Sequence, residues 1–595
     1  MQLNQQISIY INLFKEYCKQ QIDKLSISDI GLVVIIITFW SLSLFVSSSV
    51  FNRPLDIDAH HEYLTAHTLV SLRALDQWGI GQLLGASVLV PKSMEYLQAD
   101  ITIFDKGDGV YLSYPSLWLV VPYIVFKIFA VPISVANLQI YHLICDRLFS
   151  GLVIYFLFLE IIRLFEKIDF LQGWGGKILA IIGTSAWMFI PAVLYWSQNV
   201  YFCDQAVLLP IYGLILLAVK QRFQFNNLSR SKQIIIFALS LCAAGFDWYG
   251  WIFLLLLMLT IFLPLIFKNI GAAFRSIMPI VAAITVISIW FTAQLIYYKD
   301  GWHQITNIAL ERVGANLEFN LSQDIFVMSL YWHYYLPQYL KELWDAGKFS
   351  MPIFSISTFT LLIWLCWHSQ AKVSFISTCF LILAAPLLQI VILKQHSTIH
   401  DFSAFKLALP TTFIIWIVTP IAIFILVQYL IVYLSESLSI SLSGLPWLAM
   451  ITLGTLVVFT NQNVSSEFVK FAASGEAFPR EVGAIVQKHI APDDLPISDS
   501  PMIFIGVVPP QPTWYANRFV YTTQGLTYLK DRLHLSNLNN LNPVFLSYED
   551  EVTRSEIEDF CHDSWQSIPE TIMNKKVHLC RSKNLKKSPV FNRIY

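Results

Sequence analysis

Charged side chains are scarce in this 595-residue chain. Asp, Glu, Lys and Arg together make up 13% of it, about half the roughly 25% of a soluble globular domain. That shortage excludes an ordinary water-soluble fold. Excess charge of either sign is also missing. The formal net charge is -1, so no bulk electrostatic attraction to nucleic acid or to anionic surfaces is expected. The eight cysteines include no CxxC pair, which argues against a zinc site. Cys561 and Cys580 share the polar tail and could pair if that tail lies in an oxidising compartment. Residues 1–29 are polar and lack the short apolar core and small-residue cleavage site of a secretory signal. No internal repeat or low-complexity stretch is present.

What fills the chain instead is apolar sequence: 56% hydrophobic and 15% aromatic residues, with a mean hydropathy of +0.57. Runs of about 17–25 apolar residues, the length that crosses a bilayer, fall near 30–50, 138–162, 177–196, 205–220, 233–247, 249–267, 276–297, 351–368, 372–393, 406–433 and 440–460. The expected fold class is therefore an α-helical polytopic membrane protein. It has about 11 spans, a re-entrant or juxtamembrane helix, and a small C-terminal α/β domain. The extra helix is residues 114–133. Lys and Arg concentrate in cytoplasmic loops, and here they mark the head (Lys15, Lys19, Lys24) and three loops (Arg163, Lys167 and Lys177; Lys220, Arg222, Arg230 and Lys232; Lys268 and Arg275). All of these stay on one side only if 114–133 does not cross. Pro115, Pro122, Lys127 and Pro132 within it point the same way. A plain twelfth span is the alternative.

This topology divides the chain into a cytoplasmic segment 1–29, a membrane domain 30–460 and an extracytoplasmic domain 461–595. Loops 51–137, 197–205, 298–350 and 394–405 lie outside. In the tail, a helix over 479–489 is followed by short apolar runs at 502–508, 519–521, 544–547 and 577–579, with polar helical stretches such as 551–560 between them. Such alternation suits a small α/β core.

Every acidic or His-bearing cluster of interest falls on the outer face. Asp56, Asp58, His60, His61 and Glu62 lie within seven residues beside the first span, where ionisable groups usually have a function. Asp56 or Asp58 could act as a general base toward an acceptor hydroxyl, or both could hold a divalent cation, whose preferred ligands are carboxylate oxygens. Asp58 could equally cap a helix starting near Ala59. His60 and His61 are adjacent, not four apart as in a zinc HExxH helix; they either orient a carboxylate or phosphate, or pack at the interface. Asp204 stands at the head of a span, as a helix cap or as a second acid facing the first loop. In loop 394–405, Lys394, His396 and His400, with Asp401 beside them, could meet a lipid phosphate through charge-assisted hydrogen bonds, or the loop is a plain outer turn. Lys406 begins a span from the outer side, against the usual charge bias, and so suggests an anionic ligand. Arg147, near the outer end of its span, could pair with Asp146 or with a site carboxylate. Asp247 sits in a tight aromatic turn between two spans, where Trp and Tyr are expected anyway.

The order of these segments resembles the GT-C superfamily of integral-membrane glycosyltransferases, near the protein O-mannosyltransferase and lipid A aminoarabinose transferase branch. A span is followed by an acidic loop, Asp56-Ile57-Asp58-Ala59-His60-His61-Glu62-Tyr63, where the family shows Asp-Glu and a nearby Tyr. Then come Tyr111-Leu112-Ser113-Tyr114-Pro115-Ser116-Leu117-Trp118 and Phe126-Lys127-Ile128-Phe129, where the family shows His-Pro-Pro-Leu and Phe-Lys-Leu-Phe-Gly. Arg147-Leu148, Asp204 and His400-Asp401-Phe402 match three later landmarks. The similarity covers roughly 30–220 and, locally, 390–410. Ile57 separates the two acids, and Ser116 replaces a second proline. The resemblance implies an inverting enzyme that moves a sugar from a polyprenyl-phosphate-type lipid to an unidentified acceptor at the outer face. It implies Asp58 as base with Asp56 as the alternative, Asp204 as supporting acid or metal ligand, and His400, Lys406 and Arg147 toward the phosphate. No cofactor is certain; a divalent cation stays open. The composition suits a prokaryotic inner membrane. Rival readings are a transporter or flippase for lipid-linked glycans, a polysaccharide ligase or polymerase, and a non-catalytic assembly protein with the tail as binding module.

Overall fold

A computed structural model describes residues 27–51, 62–88, 110–165, 168, 171–226, 228–267, 269–298, 301–313, 369–393, 396, 405–425, 427–428, 478–491, 494–498, 510–517, 520–522, 542–547, 565–572 and 575–581. Asp56, Asp58, His60, His61, His400 and Asp401 lie outside them. So do the expected spans 351–368 and 440–460, and the tail segments 502–508 and 551–560.

The chain is an integral membrane protein. Helix α1 (Ile27–Phe51) is the first apolar span, with Val34 and Phe45 exposed on its outer surface and Leu32 and Ile36 buried. A second helix, α2 (Tyr63–Leu83), carries Thr65, His67, Thr68, Ser71 and Arg73 and is too polar for lipid. Its first ten residues are nonetheless all buried, so it is clasped by protein. Gly79, at φ 82°, breaks its helical geometry near the end. The ribbon β1 (Ser87–Val88) and β2 (Val110–Tyr111) pairs antiparallel and returns the chain. Loop 51–137, expected as an outer loop, thus holds a buried helix and a ribbon.

Helix α3 (Leu117–Ile128) has 12 residues, about 18 Å at 1.5 Å per residue. A bilayer core is about 30 Å thick, so α3 does not cross it alone. Its length is that of a re-entrant or juxtamembrane helix. Trp118, Leu119 and Phe126 face the core, while Ile124, Ile128 and Phe129 are exposed. Ser134 then caps α4 (Val135–His142), accepting from the Asn137 amide at 3.3 Å. A π-helical turn, Leu143–Phe149, joins α4 to α5 (Ser150–Ile162), and together they form the span Val135–Phe165.

The expected span 177–196 is two helices, α6 (Trp174–Met188) and α7 (Pro191–Trp196). Pro191 forces the break: the residue before a proline is driven out of the helical region, and Ile190 has ψ 129°. Then follow α8 (Cys203–Ala206), α9 (Leu208–Lys220), α10 (Arg230–Phe246), α11 (Trp248–Ile266), α12 (Ile270–Tyr297) and α13 (Gly301–Arg312). Phe274, Ile289 and Ile296 stay exposed along α12, as on a lipid-facing helix. Beyond lie α14 (Ser369–Ile392) and α15 (Ala408–Phe413), the latter running through a second π turn, Ile414–Val418. Among the described residues seven helices or helix runs are long and apolar enough to cross a membrane. α10 has 17 residues, at the lower edge of that range.

The C-terminal unit begins with α16 (Phe478–His489), which lies on the expected tail helix. Strands β3 (Asp494–Ser498), β4 (Tyr521–Thr522), β5 (Asn542–Ser547), β6 (Trp565–Ile572) and β7 (Lys575–Arg581) make one sheet in the order β4-β3-β5-β7-β6. β3 runs parallel to both its neighbours, and β7 antiparallel to both of its own. Helix α17 (Pro510–Ala516) precedes β4. Val482, Val486, Val520, Val544, Leu546 and Val577 form a separate core. Three of this unit's described elements had no forecast in the sequence, β3, α17 and β6. Cys580 is disulfide-bonded; Cys561, the expected partner, lies outside the described residues.

Candidate functional site

The site is built where α8, the α10–α11 turn and the start of α15 come together. α10 ends at Phe246 and α11 begins at Trp248, leaving Asp247 alone between them in extended conformation (φ -152°, ψ 156°). The turn is this tight because Gly250 lies against the Ala243 carbonyl; a Cβ there would sit 1.8 Å from that oxygen. Asp247 makes no side-chain cap to α11. Asp204 lies in the first turn of α8. Both carboxylates turn inward to one partner, Lys406, which precedes α15. Its Nζ donates to Asp204 Oδ1 at 2.5 Å and to Asp247 Oδ2 at 2.7 Å. All three side chains are buried. The ammonium also lies 5.2 Å from the Tyr249 ring centroid, a cation–π distance.

Other groups edge this trio. His396 Nε2 is 3.9 Å from Asp204 Oδ1, and its ring lies 6.5 Å from that of Tyr114. Burial is the first cause pushing the His396 pKa down, to about 4, with the Arg312 charge adding to it. Arg312, the last residue of α13, donates through Nη2 to the Tyr111 hydroxyl at 3.2 Å and lies 4.3 Å over the Tyr114 ring. Its Nη1, the Tyr114 hydroxyl and Asp247 Oδ1 are buried with no hydrogen-bond partner among the described residues. His67, on α2, is wholly enclosed; its Nε2 meets Ser87 Oγ at 2.7 Å, and burial lowers its pKa to about 3.

The segment carrying Asp204 is stitched to α2. Asn199 donates to Glu62 Oε1 at 2.9 Å, Thr65 Oγ1 donates to the Asn199 carbonyl, and Thr68 Oγ1 donates to the Tyr201 carbonyl. Glu62 is therefore fixed on the Asp204 side of the fold.

Sequence reading and structure part company at several residues. Lys406, expected toward an anionic ligand, donates to two carboxylates of the chain itself. The expected Arg147–Asp146 pair is not formed: Asp146 pairs with His142 Nδ1 at 2.5 Å. Arg147 donates to the Val193 and Leu194 carbonyls near the end of α7, and to Ser197 Oγ at 2.8 Å. The Val193 carbonyl also takes the Ser197 amide and the Leu194 carbonyl the Ser47 hydroxyl, so the guanidinium fastens α7 to the π turn. Asp247, read first as an interfacial turn residue, belongs to the cluster. Arg312 and His67 carried no signal in the sequence.

The helical architecture holding this cluster is similar to that of two solved proteins. The crystal structure of ArnT from Cupriavidus metallidurans in the apo state is similar to this chain over 93% of its length and 98% of that protein's, with TM-score 0.52 and 11% sequence identity. The archaeal oligosaccharyltransferase AglB from Archaeoglobus fulgidus, solved with an inhibitory peptide and a dolichol-phosphate, is similar over 86% of this chain and 69% of that one, with TM-score 0.50 and 10% identity. At these identities the shared property is the fold. No protein-family model and no curated protein matches the sequence.

Proposed function

We propose that this protein is an inverting membrane glycosyltransferase that takes a sugar from a polyprenyl-phosphate-type lipid and passes it to an acceptor hydroxyl at the outer face. The observation that carries the reading is the buried Asp204–Lys406–Asp247 cluster inside a GT-C-like fold. Buried charges are costly, and a purely structural helix packing has no need of three.

In this reading Asp58, or Asp56 beside it, accepts the proton of the acceptor hydroxyl. The freed oxygen attacks the anomeric carbon from the side opposite the phosphate. The carbon–oxygen bond to phosphate breaks, and the phosphate leaves with the electron pair. The leaving group is already good, so alignment and nearby cations supply most of the help. Arg312, with an unspent N–H beside two tyrosines, is the cation best placed to face an anionic group; His400 remains a candidate for the same end. Lys406 acts indirectly by holding Asp204 and Asp247 in place.

The outward orientation of the tail draws support from the disulfide at Cys580, since such bonds persist in oxidising compartments. The test is purified Asp58→Asn protein given a polyprenyl-phosphate sugar. It is expected to bind the lipid as wild type does and to transfer at least 100-fold less sugar, a loss of general-base size. Equal turnover in mutant and wild type would remove Asp58 as the base.

A further inference from the structure

Carboxylates grouped near a departing phosphate invite a divalent cation, and the Asp204–Asp247 pair is where one would be sought. The residues present do not fit one. Hard cations need carboxylate oxygens at about 2.0–2.6 Å and six or more oxygen ligands. The place between Asp204 Oδ1 and Asp247 Oδ2 is already taken by the Lys406 ammonium, at 2.5 and 2.7 Å. The remaining Asp204 oxygen, Oδ2, faces the Cys203 thiol at 3.5 Å. Among the described residues no three His, Cys, Asp or Glu side chains converge as metal donors.

Charge counting points the same way. The two carboxylates carry -2. Lys406 returns +1, and Arg312, whose charge acts on both acids, returns another +1. His396 is held neutral by its burial. Among the described residues the buried cluster is balanced as it stands, and a divalent ion would add two uncompensated charges to them where the low-dielectric interior magnifies repulsion.

We infer that Lys406 is a resident cation occupying the place of a metal ion, and that the Asp204–Asp247 pair works without one. The lysine holds the two acids together as a divalent ion would. It fixes the α10–α11 turn to α8, and it cannot be lost to chelators. This concerns the same site as the proposed transfer reaction, yet it is read without turnover, so either can fail alone.

The experiment is thermal unfolding of the full-length protein in detergent micelles, titrated with MnCl2 and separately with EDTA. Wild type is expected to keep its midpoint in both. Lys406→Ala, with two carboxylates left facing an open space, is expected to unfold at lower temperature in EDTA. Mn2+ should raise its midpoint saturably, and Asp204→Asn in the same background should abolish that response. A saturable Mn2+ shift in wild type that disappears in Asp204→Asn would overturn the inference. So would a folded Lys406→Ala protein that ignores Mn2+. If Lys406→Ala does not fold, the wild-type titration with its Asp204→Asn control still decides whether the pair takes a metal.

Discussion

At the residue scale, the chain buries His396 and His67 as neutral groups, and this makes stability depend on pH. His396 and His67 have pKa values lowered by burial to about 4 and about 3, against about 6.5 in an unfolded chain. The unfolded state therefore takes up protons first as pH falls. Stability contributed by the neutral rings is complete above pH 6.5 and is lost between there and the folded values. The slope approaches 1.4 kcal/mol per pH unit for each histidine. Unfolding midpoints measured from pH 7 to pH 4.5 should fall steadily, and His67→Gln should flatten the curve. A midpoint flat over that range in wild type would show that these rings are already protonated or exposed. Some members of the cluster were legible from sequence. Asp204, His396 and Lys406 stood out because a charge at a span end is rare. Their pairing was not legible. Lys406 meets partners 202 and 159 residues away, and nothing local in Asp247 or Arg312 announces a partner so distant. Arg312 is in a polar outer stretch where one more cation carries no signal.

At the element scale, apolar length located most described spans within a few residues, because a bilayer imposes its thickness on the sequence directly. It was less informative where helices are held by protein. α2 is polar, so hydropathy passed it over, and its helix shows only in the burial of one residue after another from Tyr63 to Leu72. Proline explains the error at 177–196, where one apolar run became two helices. The short α3 raises the remaining question of sidedness. If α3 dips into the membrane and returns, the residues before and after it share the outer face. A Ser134→Cys variant should then react with a membrane-impermeant maleimide added to intact cells, above the wild-type background. Labelling only after permeabilisation would mean that the chain crosses between 110 and 134, and every later outer loop would change sides.

At the scale of the whole molecule, two cores meet through one short helix. α17 packs on α16 within the C-terminal unit and on α2 in the membrane domain. Trp514 belongs to the membrane domain's core although it lies in the tail sequence. The joint is specific. The Arg73 guanidinium stacks 3.5 Å from the Trp514 ring centroid, and Nη1 donates to Asn517 Oδ1 at 2.9 Å. Arg73 remains a cation despite its partial burial, which lowers its pKa only to about 10. A desolvated cation–π pair is worth about 2 kcal/mol, and pairs in contact do not behave additively. A double-mutant cycle of Arg73→Ala and Trp514→Ala, read by unfolding of the full-length protein, should give a coupling of about 1–2 kcal/mol. The same variants should raise hydrogen exchange at the N-terminal half of α2, because that helix would lose its support from α17. Additive effects, with exchange in α2 unchanged, would mean that the tail is merely tethered. The C-terminal unit would then have no part in holding α2.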